Sequence, residues 1–219
     1  MKIKWVMMTA AMAATAAASA AILTSDDFSG TTLKAQWTPS STDSTVSDGK
    51  VSTAVSGGST TQVNSTNGYT ISGNFMVQID ETLVSQSAGF YQSCFFNVGI
   101  GGSNFGVSQA WYPGQYLTYC DPDWHVYPWV TINSNAMQFK MERVGTTLSF
   151  YAKGLTDANW TTLGTKSVAE SDATVAFGIQ GTNNTSATCS WDNFVVVPEP
   201  ASLALLGLGA LGLIRRRRT

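Results

Sequence analysis

Residues 137–154 read MQFKMERVGTTLSFYAKG, and their pattern decides the fold. Met137, Phe139 and Met141 alternate with Gln138, Lys140 and Glu142, the period of a strand with one buried face. Val144, Gly145 and Thr146 then turn the chain into a second run, Leu148 to Lys153, which makes a β-hairpin. Outward from this hairpin, Phe75, Val77 and Ile79 share one face of Asn74 to Asp80. Val175 to Ile179 and Ser190 to Val197 supply two further strands. Short runs of this kind, separated by Gly, Asn, Asp and Ser and almost without helical periodicity, predict an all-β sandwich.

The two ends are different. MKIK is a basic start, WVMMTAAMAATAAA is apolar, and Ala18, Ser19 and Ala20 are small, which predicts a signal helix cleaved after Ala20. At the other end Ala201 to Ile214 is apolar without a break, and Arg215, Arg216, Arg217 and Arg218 follow. At about 1.5 Å per residue that short helix spans about two-thirds of a bilayer core, so it is a marginal transmembrane helix. Pro198, Glu199 and Pro200 stop it from extending backwards. The expected division is a signal peptide at 1–20, one domain at 21–197 and a sorting or anchor segment at 198–219.

Between the ends stand six basic and thirteen acidic residues, a net charge near −7 that the whole-chain value of −2 conceals. Nucleic acid is not an expected partner, because binding it needs a basic face. Cys94, Cys120 and Cys189 are an odd number for an exported chain, so one disulfide and one thiol are expected. Cys94 and Cys120 bracket what read as consecutive antiparallel strands, which favours that pair. A zinc site lacks paired-cysteine spacing and has only His125 to help.

Catalytic arrangements are sparse. A lone His125 has no nucleophile elbow to serve, and Gly99 to Gly102 reads as a turn between strands. The chain is expected not to be an enzyme. The richest stretch is AWYPGQYLTYCDPDWHVYPWV, residues 110–130, with seven Trp and Tyr rings beside Asp121, Asp123 and His125. Flat rings with polar handles next to carboxylates suit sugars, so Trp111, Trp124 and Trp129 are candidates for glycan stacking and Asp121 and Asp123 for hydroxyl contacts. The alternative is that these rings are strand and core residues, since aromatics favour sheets.

Val197-Pro198-Glu199-Pro200-Ala201-Ser202, the glycine-containing apolar run and the arginine cluster together resemble the PEP-CTERM sorting signal. The resemblance implies export by a Gram-negative bacterium that makes exopolysaccharide. It also implies transient anchoring in the inner membrane and processing there by an exosortase-type membrane protease. The destination it implies is the cell surface or extracellular matrix.

A second resemblance runs through DDFSG (26–30), Trp37, SDGKVSTAV (47–55), the opening hairpin, ANWTTLG around Trp160, and FGIQGTNNTSATCSWDNFVVV (177–197). It is similar to the concanavalin A-like jelly-roll of the laminin-G/glucanase type. That similarity implies that the early Asp-Phe and late Asp-Asn-Phe segments meet, with a structural Ca²⁺ possible at Asp27 and Asp192. The laminarinase-like branch carries Glu-x-Asp and then a second Glu. Here Glu170-Ser171-Asp172 is followed by Thr174 and Val175 at the candidate places, so the family's catalysis does not carry over. The function expected is a noncatalytic exopolysaccharide-binding module. The alternatives are a polysaccharide hydrolase or lyase with a dispersed site, and a purely structural matrix protein.

Overall fold

A computed structural model describes residues 21–87, 92–112, 115–121, 130–132, 134–181 and 186–198; for 111–112 and 115–121 only the backbone is described. The expected signal helix and the tail beyond residue 198 lie outside these residues. Among the described residues no helix is long and apolar enough to cross a membrane.

The opening hairpin forms as its pattern requires. In chain order the strands are β1 (Ala21–Ile22), β2 (Trp37–Pro39), β3 (Ser44–Ser47), β4 (Lys50–Ser56), β5 (Thr60–Ser65), β6 (Tyr69–Thr70), β7 (Phe75–Gln86) and β8 (Gln92–Ile100). They continue as β9 (Ser103–Tyr112), β10 (Gln115–Asp121), β11 (Ala136–Val144), β12 (Thr147–Gly154), β13 (Thr161–Ser167), β14 (Ala173–Gly181) and β15 (Ser186–Pro198). The hairpin is β11–β12, and Gly145 (φ 58°) takes its left-handed turn position without the strain a Cβ would bring.

Two sheets face each other. One has six strands in the order β10-β9-β8-β14-β5-β2; the other has seven, β13-β12-β11-β7-β15-β4-β3. Between them lie the alternating residues read from sequence: Phe75, Val77, Ile79, Met137, Phe139, Met141, Val175, Phe177 and Ile179 are all buried. Trp37, Phe177 and Phe194 form the aromatic centre, with Trp37 edge-on to both phenylalanines at 5.3 and 4.9 Å. This is the concanavalin A-like sandwich that the sequence resemblance implied. Phe194 and Asp26 exchange both backbone hydrogen bonds, so the early and late segments do meet.

Beside that junction the buried Asp26 carboxylate gathers residues 26–37. It accepts from Phe28 N, Lys34 Nζ and Trp37 Nε1 at 2.9, 2.6 and 3.0 Å. At one end of the sandwich Arg143 is buried and donates to Gly73 O and Ser171 O, tying the β6–β7 and β13–β14 loops together. Asp172 accepts from Ser72 Oγ at 2.7 Å, so the Glu-x-Asp segment is a tied loop.

The cysteines correct an expectation. Cys94 bonds to Cys189, joining β8 of one sheet to β15 of the other with Cα atoms 6.7 Å apart. Cys120 cannot reach Cys94 in this topology. It pairs with Val107, which pairs with Phe96, so Cys120 is two strands away from β8. Two interstrand spacings amount to about 9.5 Å, beyond the Cα separation a disulfide spans.

Glu81 lies against this bridge, fully buried, with its Oε1 3.4 Å from Cys189 Sγ and its Oε2 without a partner among the described residues. Burial pushes its carboxyl well above the usual value near 4.5. A carboxyl that holds its proton only when folded stabilises the fold fully below its unfolded value, and that stabilisation is lost as pH rises through the raised folded value. Thermal unfolding at pH 5 and pH 9 is expected to show a melting temperature that falls on going alkaline. Glu81→Gln, neutral at both pH values, is expected to flatten that fall. An equal fall in both proteins would show that another group titrates.

Candidate functional site

The six-stranded sheet presents its outer face through residues that alternate with the core. One row runs straight across it by register: Asp121 (β10), Gly106 (β9), Asn97 (β8), Ala176 (β14) and Asn64 (β5). The next row towards the β8–β9 turn is Asn104, Gly99 and Thr174. In the other direction Phe95, Ser108 and Ala110 on the same face are buried, so the open part is the first two rows.

These rows form a cleft of about 310 Å³ lined by Gln62, Asn64, Asn67, Asn97, Asn104 and Thr174 with small residues between them. Glycine makes it possible. A Cβ at Gly106 would collide with the Asn97 amide, and one at Gly99 would lie 2.6 Å from Thr174 Oγ1 and 3.1 Å from Asn104 Oδ1. Glycine inside a strand marks such a close approach; here it lets neighbouring side chains lie across the sheet.

The chemistry of the cleft is uniform. Gln62 Nε2 donates to Asn64 Oδ1 at 3.1 Å, which fixes both amides and leaves Asn64 Nδ2 and Gln62 Oε1 for a ligand. Among the described residues no hydrogen bond engages the amides of Asn97 and Asn104. Each amide offers a donor and an acceptor side by side, the complement of a pair of sugar hydroxyls. Among the described residues no Asp, Glu, His, Lys or Arg side chain lines the cleft. Paired carboxylates for glycosidic cleavage are absent from this lining.

Gly106 supplies a direct check. Gly106→Val is expected to displace the Asn97 amide, and a ligand held through that amide is expected to bind about tenfold more weakly, the worth of one or two neutral hydrogen bonds. Titration calorimetry on a variant shown folded by circular dichroism measures it; undiminished affinity would remove Asn97 from the site.

The sequence candidates fall unevenly. Asp121 belongs to the amide row by register, whereas Trp111 pairs with Gln92 and Tyr116, one step out of phase with that row. Trp124, Trp129, Asp123 and His125 lie outside the described residues. Glu199, Pro200 and Arg215 to Arg218 also lie outside them, while Pro198 ends β15. Sequence reading missed Asn64, Asn97 and Asn104.

The calcium expectation meets an unsuitable donor set. Lys34 Nζ stands 2.6 Å from Asp26 Oδ1 and 4.0 Å from Asp27 Oδ1, where a cation would sit. Asp192 Oδ1 accepts from Asn193 N at 2.7 Å. Calcium requires about six to eight oxygens, and the Lys34 ammonium already serves Asp26 and stands beside Asp27. Among the described residues one cluster of metal-type ligands gathers, Glu81, Cys94 and Cys189, and its sulfurs are bonded to each other.

Comparison with known proteins adds two findings. Residues 196–218 match the PEP-CTERM protein-sorting motif. The chain therefore carries the signal of an exported protein, anchored to the membrane through its C-terminus and processed by an exosortase. No curated protein matches it. Among solved structures it is similar to a protein of unknown function from Saccharomyces cerevisiae, at 11% identity and TM-score 0.61, covering 79% of this chain and 98% of that one. The catalytic domain of an endo-1,3-β-glucanase (laminarinase) from Thermotoga petrophila has 7% identity and TM-score 0.58, covering 81% and 97%. An alginate lyase of polysaccharide lyase family 7 has 13% identity and TM-score 0.54, covering 72% and 82%. At these identities the likeness is one of fold.

Proposed function

We propose that this exported jelly-roll protein with its PEP-CTERM tail is a noncatalytic module that binds exopolysaccharide at the cell surface or in the matrix of a Gram-negative bacterium. The observation that carries the reading is the cluster of cleft amides over a glycine floor, with Asn97 and Asn104 engaged by no hydrogen bond among the described residues. Such a surface holds hydroxyls in fixed directions, and its described residues supply no acid–base pair. Its neutrality also selects the sugar. With no cation among the described residues that line the cleft and a domain charge near −7, the ligand is an uncharged polysaccharide and not a polyuronate.

Affinity electrophoresis tests this. The protein is run through gels containing the host's exopolysaccharide, a neutral glucan or alginate. Retardation is expected in the first two gels, without shortening of the polymer. Free migration of the folded protein in every gel would favour a structural matrix role. Polymer shortening would favour the hydrolase or lyase reading, which the named activities of the structural neighbours keep in view.

A further inference from the structure

The sorting motif begins inside the folded domain. Its match starts at residue 196, and residues 196–198 are the end of β15, where Val196 pairs with Val77 and Pro198 with Phe75. On its other side β15 has lost its strand partner, because pairing with β4 stops at Trp191. Ser25 fills that edge: Val196 N donates to Ser25 Oγ at 2.9 Å, and the hydroxyl is 3.3 Å from Val196 O. Only Glu199 and Pro200 then separate the clamped strand from the apolar run at Ala201. Two extended residues reach about 7 Å, so a tail held in the membrane keeps this end of the sandwich at the lipid surface.

Three exposed aliphatic side chains occupy that end. Ile22, Val144 and Val197 are 68%, 69% and 46% exposed. Pro198, Phe75 and Arg143 form one cross-strand row, and Val144 is the next residue beyond it. Ile22 is three residues from Ser25, whose hydroxyl touches Val196, so it lies within about 10 Å of chain reach of the same edge. The other exposed large aliphatics, Val84 and Leu155, stand towards the opposite end of their strands.

We propose that this end of the sandwich is a seat for the membrane that carries the chain's own tail, with Ile22, Val144 and Val197 entering the headgroup–acyl boundary. The seat rests on membrane attachment of the tail and is independent of glycan binding. Val144 and Val197 alternate with the buried Arg143 and Val196, so they belong to the outer face of the seven-stranded sheet. Seating therefore tilts that sheet towards lipid and turns the amide cleft outward. Glu170 and Asp172 flank Arg143 at the same end, which suits a zwitterionic surface better than an anionic one.

Hydrogen exchange on the full chain in phosphatidylcholine vesicles tests the seat. The comparison is the same chain with a long Gly/Ser insertion between Pro198 and Glu199. In the native chain the amides around Ile22 and the Val144–Thr147 turn are expected to exchange roughly tenfold more slowly than in the insertion variant, with the Ser56–Thr60 turn unchanged. Ile22→Ser with Val144→Ser is expected to abolish the slowing while the protein stays folded and vesicle-bound. Equal exchange in native and insertion chains, or slowing that survives the serine substitutions, would overturn the seat. Vesicle flotation reads the attachment separately; a chain that fails to float would overturn the attachment and the seat with it, leaving the glycan reading untouched.

Discussion

Replacing Asn64 and Asn97 together by alanine is expected to lower affinity for the polysaccharide about 30- to 100-fold while leaving the melting temperature within about 3 °C. The two residues stand on either side of Ala176 in one cross-strand row, so a single sugar chain lying along the row meets both. Asn97 takes with it a donor and an acceptor directed at hydroxyls and Asn64 a donor, each residue worth about 1 kcal/mol or somewhat more when the ligand's own hydroxyl is left unpaired. Two such losses amount to roughly 2–2.7 kcal/mol, or a factor near 30 to 100. Stability is little affected because both residues are only partly buried and lie on the outside of the sheet. Calorimetric titration and a thermal melt on the same sample separate the two effects. A parallel fall in both would mean that the amides serve the fold, and an unchanged affinity would place the ligand elsewhere.

The second large effect concerns the bridge between the sheets. Cys94→Ala with Cys189→Ala is expected to destabilise the domain by about 4–5 kcal/mol, because the bond closes a loop with a sequence separation of 95. For a domain of this size that corresponds to a melting temperature lower by roughly 10–15 °C. Cys120→Ala is the control and is expected to change little. If Cys120→Ala instead produced the loss and Cys189→Ala did not, the bridge would be the one that strand adjacency suggested.

Much of the fold was legible because its strands obey a simple alternation. The β11–β12 hairpin was readable to within a residue, since Met137, Phe139 and Met141 keep strict phase and Gly145 marks the turn. β15 was read short, from Ser190 instead of Ser186, because register shifts after Thr188 and after Asp192 break its period. The disulfide misled because neighbours in sequence pair within a sheet, whereas this bond crosses between sheets. The cleft was illegible for a related reason. Asn64, Asn97, Asn104 and Thr174 come from four strands, and Asn with Gly two residues on, as at Asn97 and Asn104, reads locally as turn chemistry. Gly99 illustrates this: the turn lies at Gly101 and Gly102, while Gly99 is in the strand, on the cleft floor. The aromatic stretch drew attention to β9 and β10, which edge this same sheet, but only Asp121 of its candidates belongs to the row by register.

The central claim is that neutral glycan is bound by the amides of this one face. Side-chain amide signals of Asn and Gln, followed by nuclear magnetic resonance while oligosaccharides from the host's exopolysaccharide are added, test it most directly. The amides of Asn64, Asn97, Asn104 and Gln62 are expected to shift together and saturate at one ligand concentration, with Gln138 on the opposite sheet unmoved. Shifts confined to other residues, or none at concentrations that retard the protein in a gel, would contradict the account.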